Sequence, residues 1–109
     1  MRVHNKYFAK KTVVDGIRFD SRAEANRYCE LKILLRAGVI KELRMQVPYV
    51  LIEKSKYGRK IVYKADFVYN EKGETIVEDV KSKPTMTGVY KLKKRMLAEK
   101  YGIEIKEVM

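Results

Sequence analysis

The stretch that most constrains the fold is Tyr63–Lys81, which has the pattern of one long β-hairpin. Its two flanks are rich in Val, Ile, Tyr and Phe, and the segment between them, Asn70-Glu71-Lys72-Gly73, is polar and ends in glycine. Apolar runs of this kind, separated by a short polar turn, are typical of paired antiparallel strands. If all four polar residues form the loop, Tyr69 lies opposite Glu74.

This register predicts a concentration of charge on one face of the hairpin. Side chains alternate along a strand, so Asp79 and Lys81 share one face and Glu78 lies on the other. Asp66 is then opposite Val77 and diagonal to Asp79, on the same face. Two carboxylates and a lysine thus meet in the middle of a sheet, where charge is costly to bury unless it binds something.

The chemistry that suits this group of side chains is metal-assisted phosphoryl transfer. Mg²⁺ takes oxygen ligands and is often held by one or two carboxylates, with water and phosphate oxygens in the other positions. Asp66 and Asp79 supply two ligands, and the backbone carbonyl of Val80 is a candidate third. Lys81 is placed to orient a water or to stabilise charge on the phosphorus. The alternative for Asp-x-Lys is a cross-strand salt bridge on a solvated face.

The charge of the chain points to a polyanionic partner. Lys and Arg number 25 against 14 Asp and Glu, which leaves a net charge of +11. Such an excess on a small domain favours nucleic acid, without distinguishing DNA from RNA. No apolar run approaches the roughly 18 residues that a membrane span needs, so we expect no membrane partner.

A dense basic cluster follows the hairpin and is a candidate grip on phosphates beside the cleaved bond. Its members are Lys83, Lys91, Lys93, Lys94 and Arg95. Tyr90, within the cluster, is a candidate to stack on a base, although we favour the simpler interpretation that it packs against the sheet. The alternative for the whole cluster is an ordinary solvated helix face.

The rest of the sequence predicts a single α/β domain over residues 1–109, with two helices flanking a mixed sheet of three to five strands. Ser21 is a good N-cap, and Glu24 completes a capping box for a helix ending near Ala37. The other expected elements are a basic N-terminal arm at 1–11, a small hairpin at 12–19, a strand at 46–52, a charged turn at 53–59, a helix at 89–100 and a strand at 103–108. In the helix at 89–100, the residues expected to face inward are Val89, Leu92, Met96 and Leu97. The single Cys29 is expected to be buried and fits a reducing cytoplasm.

Several ordered motifs together resemble a known group of proteins. Asp66 and Asp79-Val80-Lys81, downstream of a helix that carries Glu24, look like the PD-(D/E)XK nuclease superfamily, although Ala65 stands where the motif's proline would be. Further segments resemble small phage and prophage proteins that are likened to endonucleases and Holliday-junction resolvases. These segments are Lys6-Tyr7, Lys10-Lys11, 16–24, Gln46, 63–67, 77–81 and 101–103.

The resemblance implies a restriction-endonuclease-like αβββαβ core and a Mg²⁺-dependent endonuclease, with Mn²⁺ as an alternative metal. It implies Asp66 and Asp79 as metal ligands, Lys81 as the catalytic lysine, and Glu24 as a further site residue; Gln46 is a weaker match. The expected setting is branched or replicating DNA in the cytoplasm of a bacterium or phage-infected host. The alternatives are a non-catalytic nucleic-acid-binding protein of the same fold and a nuclease subunit that needs a partner. A homodimer is compatible with the small size of the domain.

Overall fold

Two helices and six strands make up residues 12–109, the part of the chain that the computed structural model describes. In chain order they are β1 (Thr12–Val14), β2 (Ile17–Phe19), α1 (Arg22–Arg36), β3 (Lys41–Ile52), β4 (Ile61–Glu71), β5 (Glu74–Val80), α2 (Gly88–Tyr101) and β6 (Lys106–Val108). A short 3₁₀ turn, Lys83–Thr85, precedes α2. The expected basic arm at 1–11 lies outside the described residues.

The main sheet has the strand order β3-β4-β5-β6. The first three strands are antiparallel neighbours, and β6 returns parallel to β5 after the α2 crossover. Strands β1 and β2 form a separate hairpin that turns at Asp15-Gly16, where both φ angles are positive. This arrangement confirms the predicted mixed α/β fold with an αβββαβ core.

The central hairpin is present, but its predicted register was wrong by two residues. Tyr69 pairs with Ile76, not with Glu74, and the loop contains only Lys72 and Gly73, both with positive φ. Two-residue loops of this kind match the twist of the flanking strands. A shift of two residues preserves the face of every side chain, so the expected separation of Asp79 from Glu78 holds.

The two helices lie on opposite faces of the sheet and define two hydrophobic cores. Tyr28 and Leu31 of α1 pack in one core with Phe67, whereas Leu97 of α2 packs in the other with Val68. Phe67 and Val68 are neighbours on β4, and neighbouring residues of a strand point to opposite faces. We call these the α1 core and the α2 core.

Strands β3 and β4 exchange faces part-way along their length. On β3, Met45 packs in the α1 core but Val47 packs in the α2 core; on β4, Ala65 packs in the α2 core but Phe67 packs in the α1 core. The pairs Met45–Phe67 and Val47–Ala65 belong to one unbroken register. The reversal therefore falls between these two pairs, where Gln46 has a φ of 54° on β3 and Asp66 is the residue between Ala65 and Phe67 on β4.

Two predictions about burial were wrong. Val89 and Leu92 of α2 do not face inward, since these residues are 65% and 59% exposed, while Tyr90 and Leu97 are buried. Cys29 is exposed instead of being part of the core of α1. Neither described helix is long and apolar enough to cross a membrane.

Candidate active site between the helix N-termini

The candidate site occupies the place where β4 and β5 separate. Their ladder ends at the pair Phe67–Glu78, and β5 continues with β6 as its partner. A cavity of about 400 Å³ opens beside the split, between the N-terminal ends of α1 and α2. Its lining includes Asp20, Ser21, Glu24, Tyr63, Lys64, Asp66, Asp79, Val80, Lys81, Thr85, Thr87, Val89, Tyr90 and Lys93. All four residues predicted to be catalytic are therefore brought to one cavity.

Asp79 is the most firmly held of the carboxylates. Lys81 Nζ lies 3.1 Å from Asp79 Oδ1, and the hydroxyl of Tyr63 donates a 2.6 Å hydrogen bond to Oδ2. Burial and the bond to Asp79 together raise the pKa of Tyr63 well above its ordinary value, which keeps this hydroxyl a donor. On its other side, Lys81 Nζ lies 4.0 Å from the ring centroid of Tyr90. The lysine is thus fixed between a carboxylate and an aromatic face.

Asp66 bridges the gap between the separating strands. Its Oδ2 accepts a 2.8 Å hydrogen bond from the backbone N–H of Val80. Burial and the nearby Asp79 raise the pKa of Asp66 to about 6, although the Val80 N–H opposes the shift. The ionised carboxylate of Asp66 is therefore not fully balanced by neighbouring positive charge.

Glu24 is directed into the site instead of closing a capping box. Ser21 is the N-cap of α1, since its hydroxyl accepts from the N–H of Glu24 at 3.1 Å. Within residues 12–109, however, the carboxylate of Glu24 accepts a 3.0 Å bond from Gln46 and none from the Ser21 N–H. Burial, followed by repulsion from Asp66, Asp20 and Asp79, raises the pKa of Glu24 to about 7. Gln46, the weakest of the predicted site residues, thus contacts the acidic group directly.

The three carboxylates have the right chemistry for a hard cation but do not form a finished metal site. Across residues 12–109, no group of three His, Cys, Asp or Glu side chains is arranged to hold a metal ion. Both oxygens of Asp79 already have donors, namely Lys81 and Tyr63. The raised pKa values of Glu24 and Asp66 nevertheless identify two oxygen donors that lack a counter-charge.

Glu78 lies on the opposite face, as the alternation predicts, and its role is structural. It is fully buried, and Arg27 of α1 binds it through two bonds of 2.8 and 2.6 Å. The hydroxyl of Tyr69 also donates to it. Burial alone would raise the pKa of Glu78, but these bonds hold it below its ordinary value. Since Arg27 lies one helical turn from Glu24, this ion pair fixes the part of α1 that carries Glu24 into the cavity.

The residues of the basic cluster that follows the hairpin do not all lie at the cavity. Lys93 lines the cavity, and its Nζ donates to the carbonyl of Val62 at 3.0 Å. Lys94 pairs with Glu107 of β6, while Lys91 and Arg95 are exposed beside a different groove. The side chain of Lys83 lies outside the described part of the structure.

Tyr90 packs against the sheet and is not free to stack on a base. Only 7% of the residue is exposed, Lys81 covers its ring, and its hydroxyl donates to Glu107 at 2.7 Å. The prediction that Tyr90 packs against the sheet is therefore confirmed, and the prediction that it stacks on a base is not.

Sequence reasoning missed Tyr63 and Lys64 as members of the site. Both precede Asp66 by three residues or fewer on β4, and both line the cavity. Strand alternation assigns Tyr63 to the face away from Asp66, and only the reversal at Asp66 brings the two together. Lys64 could have been predicted from the sequence, because a lysine two residues before a candidate ligand lies on the same face of a regular strand.

Comparisons with known proteins add one result. No curated protein and no solved structure matches the chain. One family model, described as "Protein of unknown function (DUF1064)", matches residues 4–108. Because that match spans nearly the whole sequence, the chain belongs to the DUF1064 family.

Proposed function

We propose that this protein is a metal-dependent nuclease that hydrolyses phosphodiester bonds in DNA. The observation that carries the proposal is the meeting of Glu24, Asp66, Asp79 and Lys81 at one cavity. The net charge of +11 and the lysines at the rim of the cavity support a polyanionic substrate. Two helix N-termini open onto the same cavity, and such termini favour phosphate groups.

Asp66 and Asp79, with Glu24 beside them, would hold a Mg²⁺ or Mn²⁺ ion. When bound, that ion supplies a Lewis acid for the phosphoryl group and lowers the pKa of a coordinated water. Lys81 Nζ lies 3.1 Å from Asp79 Oδ1 and lines the same cavity, so its ammonium group would stand beside both the ligand carboxylate and a phosphate oxygen of the substrate.

The chain's own residues have separable tasks in this proposal. Tyr63 fixes the orientation of Asp79, and the ring of Tyr90 supports Lys81 from the side away from Asp79. Lys64 and Lys93 are placed to bind the phosphates that flank the cleaved bond. Glu24, which lines the same cavity, would serve either as a further oxygen ligand or as the general base for the attacking water.

A second function, nucleic-acid binding without catalysis, is favoured by two specific observations. Asp79 is already neutralised by Lys81, and within residues 12–109 no three acidic, His or Cys side chains have the arrangement of a metal site. In that case the acidic residues would serve the fold only. A nuclease subunit that depends on a partner stays a further alternative, and branched or replicating phage DNA stays the proposed setting.

The deciding experiment is a cleavage assay on labelled linear duplex, single-stranded, flap and four-way-junction DNA, with Mg²⁺, Mn²⁺ or EDTA. We expect cleavage of at least one substrate with metal and none with EDTA. Asp79→Asn should abolish cleavage while DNA binding survives, and Glu99→Gln, which changes an exposed carboxylate of α2, is the matched control. Binding without cleavage under every condition would support the non-catalytic alternative.

A further inference from the structure

The turn between β3 and β4 carries a group of side chains that the proposed site does not use. Residues 53–60, which we call the basic tip, contain four basic residues and one acidic residue, and all eight residues are exposed. The basic residues are Lys54, Lys56, Arg59 and Lys60. None of the four forms an ion pair with any residue in 12–109. Like charges crowded without counter-charges destabilise a fold, so this arrangement does not serve stability.

Tyr57 stands at the apex of the basic tip and is 88% exposed. Of the tyrosines in 12–109, five donate their hydroxyl to a protein acceptor and Tyr49 packs in the α2 core. The Tyr57 side chain does neither; its ring lies beside Lys56, whose Nζ is 5.2 Å from the ring centroid. An aromatic ring is thus presented to solvent beside a cation.

The apex is a formed turn and not a loose loop. Ser55 and Gly58 exchange two backbone hydrogen bonds, of 3.0 and 3.2 Å, across Lys56 and Tyr57. The hydroxyl of Ser55 also accepts from the backbone N–H of Tyr57 at 3.1 Å. The backbone therefore holds Lys56 and Tyr57 side by side before any partner binds, which reduces the entropy lost on binding.

We propose that the basic tip is a second nucleic-acid contact, at which Tyr57 stacks on an unpaired base and the surrounding cations bind the flanking phosphates. Exposed aromatic rings among cations are the recurring elements of single-strand binding, because every base has a face on which a ring can stack. In a continuous duplex those faces are covered by neighbouring bases. An acidic peptide would satisfy the cations but would leave the ring without a flat partner.

The distance between the basic tip and the proposed active site indicates which class of DNA substrate would contact both. Asp66 and Ile61 are five strand residues apart, and the tip continues beyond Ile61, so Tyr57 lies roughly 20–30 Å from Asp66. The substrate then has a single-stranded segment several nucleotides away from the cleaved bond, as a flap or a branched DNA has. This extension rests on the proposed function, whereas the binding itself does not require cleavage.

The test is binding of fluorescein-labelled single-stranded and duplex oligonucleotides, measured by fluorescence anisotropy in EDTA so that nothing is cut. Tyr57→Ala should weaken single-strand binding about 5- to 100-fold. It should change duplex binding less than about twofold, while Tyr57→Phe keeps the ring and binds nearly as the parent does. Unchanged single-strand affinity in Tyr57→Ala, or equal weakening for both oligonucleotides, would overturn the proposal.

A pair of charge variants provides the matched control. Lys56→Gln with Lys60→Gln removes two charges at the tip, and Lys41→Gln with Lys72→Gln removes two exposed charges at the opposite end of β3 and β4. The tip pair should reduce the salt dependence of single-strand binding by roughly one to two in slope, and the control pair should reduce it less. An equal reduction in both pairs would count against the tip. If Tyr57→Ala loses single-strand binding and the parent protein cleaves no DNA substrate, the proposed contact at the basic tip is supported. Only the nuclease proposal then fails.

Discussion

The hydroxyl of Tyr63 donates a 2.6 Å hydrogen bond to Oδ2 of Asp79, and the oxygen on the other side of that carboxylate faces Lys81. The tyrosine therefore sets the rotation of Asp79 while leaving Oδ1 to exchange its partner. Both residues are buried, so water does not readily replace the hydroxyl if it is removed. A change at Tyr63 can therefore test whether the orientation of Asp79 matters for activity while the carboxylate itself is kept.

Tyr63→Phe removes that hydroxyl and keeps the ring in the α2 core. We expect the free energy of unfolding to fall by about 1–3 kcal/mol, because the buried oxygen of Asp79 loses a donor. Cleavage should fall by about 10- to 100-fold through loss of orientation. Tyr28→Phe is the matched control, since it removes a hydroxyl bonded to Asp15 away from the cavity. Full cleavage by Tyr63→Phe would show that the orientation of Asp79 does not depend on this bond.

Glu78→Gln should damage stability much more than chemistry. The change breaks a buried ion pair with Arg27, and leaving one charge of such a pair without its partner costs about 3–5 kcal/mol. Thermal unfolding should therefore occur at a much lower temperature, while cleavage per folded molecule falls far less than in Asp79→Asn, because Glu78 itself does not line the cavity. Glu30→Gln removes the other, exposed partner of Arg27 and should cost less than about 1 kcal/mol. A stable but inactive Glu78→Gln protein would instead assign Glu78 to the chemistry.

Glu24→Gln should make the metal-free protein more stable at high pH. The pKa of Glu24 is about 7 in the fold against 4.5 for the free side chain, so the folded state binds more protons between these values. Stability of the parent therefore falls as pH rises from 4.5 to 7, and Gln removes that penalty. We expect Glu24→Gln to exceed the parent by about 1–3 kcal/mol at pH 8 in EDTA, and to lose that advantage at pH 4.

The same variant should lose most cleavage activity, since Gln is a weaker ligand and a poor base. Ser21→Ala is its counterpart, because it removes the N-cap of α1 at a cost of about 1 kcal/mol and leaves Glu24 in place. Parental cleavage by Glu24→Gln would restrict Glu24 to a structural role. In that outcome the site would consist of Asp66, Asp79 and Lys81.

Lys64→Gln combined with Lys93→Gln should weaken the salt dependence of DNA binding. Each phosphate contact that is lost lowers the slope of log affinity against log salt by about one. Lys91→Gln with Arg95→Gln removes the same charge from the exposed side of α2 and should have the smaller effect. If the second pair has the larger effect, DNA lies across the exposed side of α2 and not over the cavity.

Capping residues and turn glycines made the elements of the fold predictable. Ser21 is the N-cap of α1 as expected, the helix expected at 89–100 is present as α2, and the order of strands follows from the apolar runs. The two-residue loop at Lys72-Gly73 was not predictable in the same way, because a positive φ at a lysine leaves no clear mark in a sequence. Loop length sets register, so the predicted pairing of Tyr69 was wrong while the face of Asp79 was right.

The reversal at Gln46 and Asp66 is also hidden from the sequence. Alternate residues of β3 are apolar from Leu43 to Leu51, which reads as one face packed on one core. In the fold this single pattern serves both cores in turn, because the backbone changes direction at Gln46. The partners of Asp66, and the membership of Tyr63 in the site, depend on that change and not on periodicity.

The face exchange also has a mechanical consequence. Glu24 stands on a helix anchored in the α1 core, and Lys93 stands on a helix anchored in the α2 core. Glu24 and Lys93 line the same cavity from these two helices, and β3 and β4 contribute to both cores, so the distance across the cavity depends on the backbone geometry at the reversal. A substitution that alters the backbone at the reversal is therefore expected to change the width of the cavity without removing a side chain from either core.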